Sequence, residues 1–142
     1  MSVRETALAA LSARLGAALA VRNPAPKVLR NETVPQRLPT GGLVVVRDGE
    51  TVEETPILSP LAWAVEHRAE VEVVAATGAI LDALLVDIAA AIAGDRTLGG
   101  AVEWAQPGAP SFDDAETEGA AAARAASVPV TLSFTVAGSP LA

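Results

Sequence analysis

Three groups of side chains in this sequence have types and spacings that could do chemistry. His67 is the single histidine, in the run Val65-Glu66-His67-Arg68-Ala69, and an imidazole could serve as a base or a metal ligand. A zinc site would have to complete it with carboxylates alone. A Ser-His-Asp arrangement would need a serine on a sharp strand-to-helix turn, which the sequence does not offer. Glu66, Glu70 and Glu72 flank it, but their period of two places all three on one exposed strand face with Arg68, where carboxylates stay solvated. The third group, Asp113, Asp114, Glu116 and Glu118, is dense enough to attract a cation, yet it lacks the alternating ligands and mid-loop glycine of a calcium loop. No metal or other cofactor is expected from any of them.

Glycine pairs raise the same question for phosphate. Gly41-Gly42 and Gly99-Gly100 both lie just ahead of apolar runs, whereas a phosphate cradle follows a strand and opens a helix. No Walker lysine accompanies either pair. They read as turn glycines, and in "DRTLGG" the residues Asp95, Arg96, Gly99 and Gly100 are expected to end a helix and orient the chain reversal.

Whatever these residues do, the elements around them must place them. The chain has 142 residues, enough for one domain and one core, and a single domain over 1–142 is the expectation. Hydrophobic residues make up 51% but aromatics only 3%, so the core must come from Val, Leu, Ile and Ala packed between layers. Seventeen acidic against ten basic side chains give a net charge of -7, which repels a phosphate backbone and argues against non-specific nucleic-acid binding. With no cysteine there is no disulfide framework, thiol nucleophile or thiolate metal site. Arg4, Glu5 and Arg14 interrupt the Ala/Leu-rich N-terminus, so neither a signal peptide nor a spanning helix is expected.

Ser2 and Glu5 have the spacing of a capping box, and Leu8, Leu11, Leu15 and Leu19 put a leucine stripe along the helix that follows. "NPAPK" ends it. Val28 to Arg30 is expected as a short edge strand. "LVVVRDGE" reads as a strand closing on an Asp-Gly hairpin, with a second arm over Thr51 to Leu58 in which Pro56 must lie at an edge or bulge. From Val65 to Val73 alternation is strict, with His67 on the apolar side. Ile80, Leu81, Leu84, Leu85, Ile88 and Ile92 define a second helix, with Gly94 as its left-handed terminal residue. A short strand over Ala101 to Gln106 is expected with Val102 and Trp104 on one face. An acidic loop over 107–119 should follow, with a helical turn near Ala120 to Ala125, a last strand over Val128 to Val136 and an extended tail over 137–142. These elements define an α+β fold, two helices packed on one face of a mixed, mostly antiparallel sheet of about four to six strands.

The order of features carries a resemblance. The amphipathic first helix, "PQRLPTGGLVVVRDGE", "LSPLAWAVEHRAEVEVV", "DRTLGGAVEWAQPGAP" and "VPVTLSFTVAGSPL" together resemble the tail terminator, or tail-completion, proteins of long-tailed phages and phage-like gene transfer agents. The likeness covers nearly the whole chain. It implies a structural virion protein in the tail-neck region, assembled in the bacterial cytoplasm as a homo-hexameric ring. That ring would cap the major tail-tube protein and receive the head–tail connector or stopper, with DNA passing through its lumen and no membrane involved. The family has no catalytic residues to carry over. Expected contacts with subunits or partners are Trp63, His67, Phe112, Asp113, Asp114 and Glu116, chosen as apolar or charged positions near sheet edges and the acidic loop. Two alternatives are another head–tail neck component, an adaptor or stopper, and a small enzyme centred on His67.

Overall fold

A computed structural model describes residues 1–33, 37–115 and 123–142. Helix α1 spans Val3–Leu19, and the Ser2 hydroxyl accepts the Glu5 amide at 3.1 Å. The other half of the capping box is absent, because the Glu5 carboxylate turns outward to a partner described below. Ala7, Leu8, Leu11, Leu15 and Leu19 are buried on one face. Helix α2, Gly78–Gly94, starts where the Thr77 hydroxyl accepts the Ile80 amide, and it buries Leu81, Leu84, Ile88, Ala91 and Ile92.

Both helices serve one mixed sheet. Strand β1, Lys27–Arg30, lies at an edge and runs parallel to the start of β2, Leu43–Leu58. Strand β2 turns at Ser59-Pro60 into β3, Leu61–Ala75, and β3 pairs along its whole length with β6, Ala123–Ala137. Strands β4, Trp104–Pro107, and β5, Ser111–Ala115, share the far edge of β6. All pairings but β1–β2 are antiparallel, giving the order β1-β2-β3-β6-β4 with β5 also on β6.

The core is aliphatic. Val44, Val46, Val65, Ala69, Val71, Val73, Val128, Val130, Leu132 and Phe134 face the helices and are buried. Each large side chain so buried contributes about 1.5–3 kcal/mol, which offsets the scarcity of aromatic volume by number. Leu43 and Val45 alternate to the opposite face yet are also fully buried, outside that core.

Six sequence expectations need correction. Asp48-Gly49 is no hairpin turn. The strand runs through it with one extra residue, the bulge between the pairs Arg47↔Glu70 and Glu50↔Arg68, and a second shift falls at Val52. Gly49 takes φ +67 and passes so close to the Arg68 carbonyl that a Cβ would collide with it. Asp-Gly supplies left-handed geometry, but which left-handed feature it becomes depends on the strand beside it. Pro56 is tolerated because β1 covers β2 only as far as Val46, leaving Pro56 on an outer edge with no partner strand among the described residues.

Gly94 has no positive φ. Its missing Cβ instead clears Arg14, whose guanidinium would lie 2.8 Å from such an atom as it donates to the Ala91 carbonyl. The left-handed residues come later, at Leu98, Gly99 and Gly100. The strand expected over 101–106 begins only at Trp104, because the Val102 amide is still held by the turn, donating to Thr97. Val102 is therefore buried while Trp104 faces outward.

The acidic stretch 107–119 is not all loop, since Ser111–Ala115 is β5. Strand β6 begins at Ala123, before Val128, and so Ala123 to Ala125 are strand where a helical turn was expected. The longer β6 presents an edge that β5 closes. Carboxylates conceal this strand in the sequence because one of its faces needs no burial. The tail over 137–142 is not extended either. It turns back at Gly138, where Pro140 accepts from Arg4 and the Ala142 carbonyl accepts the Val3 amide at 3.1 Å.

A Cβ at Gly49 would meet both strain and backbone, whereas one at Gly99 would meet only strain, since nothing lies within 4 Å of that site. Gly49→Ala is therefore expected to lower the unfolding free energy by more than Gly99→Ala does, with strain alone accounting for about 1 kcal/mol. Urea titrations of the two variants check the order; equal losses would contradict the close approach to β3.

Candidate functional site

The bulge in β2 organises the one buried polar side chain among the described residues. His67 is 3% exposed and sits on β3 opposite Thr51. Its Nε2 donates to the Asp48 carbonyl, and in the neutral ring its Nδ1 accepts from the Thr51 hydroxyl at 3.1 Å. Both ring nitrogens are thus engaged inside the chain, on the two flanks of the bulge. A buried imidazole with two intrachain partners acts as a brace and has no nitrogen to offer a substrate or a neighbouring subunit. Among the described residues no three His, Cys, Asp or Glu side chains come together as a metal site would require.

Asp48 also joins a charged knot. The Arg30 guanidinium on β1 forms a fork with the Glu5 carboxylate of α1, at 2.5 and 2.8 Å, and reaches Asp48 Oδ1 at 3.0 Å. The Asn31 side chain accepts the Asp48 amide at 3.1 Å, satisfying the backbone group that the bulge frees. The hydrogen bond from Arg30 holds the Glu5 carboxyl below its ordinary range. Burial raises that of Asp48, but Asn31 and Arg30 together outweigh it and bring it down. One guanidinium therefore ties the first helix, the edge strand and the bulge together.

Beyond the bulge, β2 and β3 run on as a hairpin arm, with β6 beside β3 as far as Ala62 and Val65 still buried in the core. Its tip exposes Ile57, Leu58 (81%) and Leu61. Trp63 lies on the arm, half-buried against the core, with its indole donating to the Gly138 carbonyl at 3.2 Å, so it fastens the returning tail to the arm. On the face away from the helices, Glu53, Thr55, Glu66, Glu103 and Ser133 line an open cleft of about 250 Å³.

The turn after α2 is closed by its own side chains. Asp95 accepts from the Thr97 hydroxyl at 3.0 Å and from the Gly99 amide at 2.8 Å, and these bonds, the first of them most, hold its carboxyl below the ordinary range. Arg96 donates to the Ala105 carbonyl and to Gln106, and its guanidinium lies 5.1 Å over the Trp104 ring. The described helices begin at Val3 and Gly78, and it is the end of α2 that leads into these glycines.

Phe112 and Asp113 are exposed on β5, Phe112 at 68%. Phe112 pairs with Ala126 on the helix side and borders a cleft of about 290 Å³ with Gly78, Leu81, Asp82 and Ala125. The backbone of Asp114 pairs with Arg124, and Glu116 lies outside the described residues. The six expected contact residues therefore do not form one site. Trp63 and His67 belong to the arm, and Phe112 and Asp113 to the opposite end of the sheet. The residues that sequence reasoning passed over are Arg30 and Trp104. For Trp104 the signal was present, since a strand starting at 104 turns it outward.

These features define an α+β domain in which His67, Arg30 and Asp95 brace the backbone and exposed apolar groups gather at the β2–β3 tip. No family model matches the chain, and no curated protein matches it. Among solved structures, it is similar to a chain described as "Virion of native gene transfer agent (GTA) particle". That likeness has 16% identity and a TM-score of 0.49, over 92% of this chain and 94% of the other.

Two outcomes follow from the knot and the turn. Glu5 and Asp48 titrate lower folded than unfolded, so their contribution is complete above the ordinary carboxylate range. It is lost as pH falls, from about pH 5 downward through their depressed folded values. The urea midpoint should thus decline between pH 5 and 3, and Arg30→Met should flatten that decline; an unchanged slope would remove Arg30 from the account. In the turn, Gly99→Val and Gly100→Val should each cost about 1 kcal/mol or more through positive φ alone. Asp95→Ala should lower the thermal midpoint too. Unaltered midpoints in all three would show that the turn does not depend on these residues.

Proposed function

We propose that this chain is a structural protein of a phage-like virion, a tail terminator that forms a ring at the head-proximal end of a long tail. The reading is carried by the order of sequence features, from the amphipathic first helix through "DRTLGG" to "VPVTLSFTVAGSPL", which resembles that family over nearly the whole chain. The architecture such a protein calls for, two helices on one face of a mixed and mostly antiparallel sheet, is the one this chain has.

The physical task of a terminator is to match the growing end of a tube on one side and to present something different on the other. The tip of the β2–β3 hairpin suits it: exposed Ile57, Leu58 and Leu61 are apolar groups of the kind that partners cover. In this reading the ring binds the last ring of the major tail-tube protein, ends its growth and offers the surface for the connector or stopper. DNA slides through the lumen, repelled by a chain of charge -7 and bound at no specific site. The work is done in the tail-neck region of the particle, after assembly in the bacterial cytoplasm, by contacts and with no catalysis.

Deleting the gene in particle-producing cells should yield tubes of uncontrolled length and heads without tails, seen by negative-stain microscopy, with normal joined particles restored by the gene in trans. Labelled protein should decorate only the head-proximal end of tails. Tails of normal length joined to heads in the deletion strain would overturn the proposal, and label elsewhere on the particle would move the protein to another station.

A further inference from the structure

At its two ends the sheet carries large apolar residues that the described residues leave uncovered. From Thr55 to Ala64 the β2–β3 hairpin has no charged residue, although the chain as a whole carries -7. Cross-strand partners share a face, so the pairs Pro56↔Trp63 and Leu58↔Leu61 stand on the same side of the sheet as buried Val65 and Val136, the side that faces the helices. Leu58 is 81% exposed and Leu61 50%, with Ile57 beside them at 44%. The tip is an uncharged apolar knob.

The opposite end holds a cleft. Phe112 on β5 stands across from Ala126 on this same helix side, and with Gly78, Leu81 and Ala125 it lines the opening of about 290 Å³ at the start of α2. The other two lining residues, Asp82 and Arg124, are opposite in charge, and Arg124 is already engaged within the chain. An uncharged knob therefore meets no unbalanced charge there. Thirteen residues of strand separate Leu61 from Val74, the partner of Ala125, which is about 43 Å at the rise of a β-strand. No copy can fill its own cleft with its own tip.

We propose that the Leu58–Leu61 tip of one copy seats in the Phe112–Leu81 cleft of the next, so that the occupant of the cleft is a second copy of this chain set head to tail. The size of the tip excludes the simpler pairing. Ile57, Leu58 and Leu61 together expose on the order of 300 Å², against about 800 Å² per partner in a standard interface, so two tips meeting across a two-fold axis would not hold a dimer. A head-to-tail contact adds the cleft walls and Phe112, an exposed aromatic of the kind that anchors interfaces. Two different patches in contact make a heterologous interface, which closes into a ring when the rotation permits, and in a closed ring every copy is held at both ends. This inference rests on the ring reading and names the surfaces that join neighbours within the ring.

The chain has no cysteine, so introduced ones report contacts cleanly. The test uses the full-length Ser59→Cys/Ala79→Cys variant, whose thiols stand at exposed positions on the tip and beside the cleft, with a short bis-maleimide that fixes even a transient contact. It should give a ladder of dimers, trimers and larger species, while either single variant should stay monomeric. Adding Leu58→Asp should reduce the ladder at least tenfold, as should adding Phe112→Arg. The two together bring opposite charges into the contact and should restore the ladder, which a folding defect could not do. Dimers from Ser59→Cys alone as abundant as the ladder would show tips meeting each other and overturn the proposal, as would a ladder indifferent to both substitutions. If rings are visible on wild-type tails by microscopy and no ladder forms, these surfaces are wrong and the ring stands. Absence of rings both in solution and on tails would remove the ring reading and this inference with it.

Discussion

The rest of the structure depends on one backbone constraint: β2 must accommodate extra residues at Asp48-Gly49 and Val52 while β3 beside it stays regular. Before that point, β2 is a fully buried strand, with Leu43 to Val46 covered on both faces. After it, the outer side of β2 is exposed as far as the Ser59-Pro60 turn, while Val65 on β3 remains buried in the core. A bulge strengthens twist and re-aims a strand, and it leaves a backbone amide to be satisfied. Asn31 takes that amide, His67 takes the Asp48 carbonyl, and Arg30 anchors the Asp48 carboxylate. His67, the imidazole that looked most available for chemistry, is consumed in holding this one distortion.

That arm explains why the sheet can end in exposed groups without inviting indiscriminate pairing. The outer edge of β2 beyond Val46 is open, and open edges pair with whatever extended chain they meet. Here the bulges, the carboxylates Glu50, Glu53 and Glu54, and Pro56 all obstruct regular strand addition. The tip exposes Ile57, Leu58 and Leu61 together. A guarded edge with an open tip and an acidic face is a device for selective contact by side chains.

What was legible in the sequence was everything set by local period. The leucines of α1 recur at three- and four-residue intervals, the valines of β3 alternate with glutamates, and each pattern admits one secondary structure with one buried face. The α+β class, the helix-facing side of His67, the cap at Ser2 and the turn at Gly99-Gly100 all belong here. These features depend on residues within a few positions of one another.

Tertiary structure decided whatever depends on the partner strand. Asp48-Gly49 is the same dipeptide in a hairpin or a bulge, and only the presence of β3 alongside, with the Arg68 carbonyl against Gly49, selects the bulge. Ser111–Ala115 became a strand because β6 starts early enough to pair with it, a fact absent from its own acidic composition. The Glu5 carboxylate left its capping box because Arg30, twenty-five residues away, binds it by two bonds. Periodicity tells each residue which face it occupies, but hydrogen-bond partners far along the chain decide whether a polar side chain there is free to act or already committed to the fold.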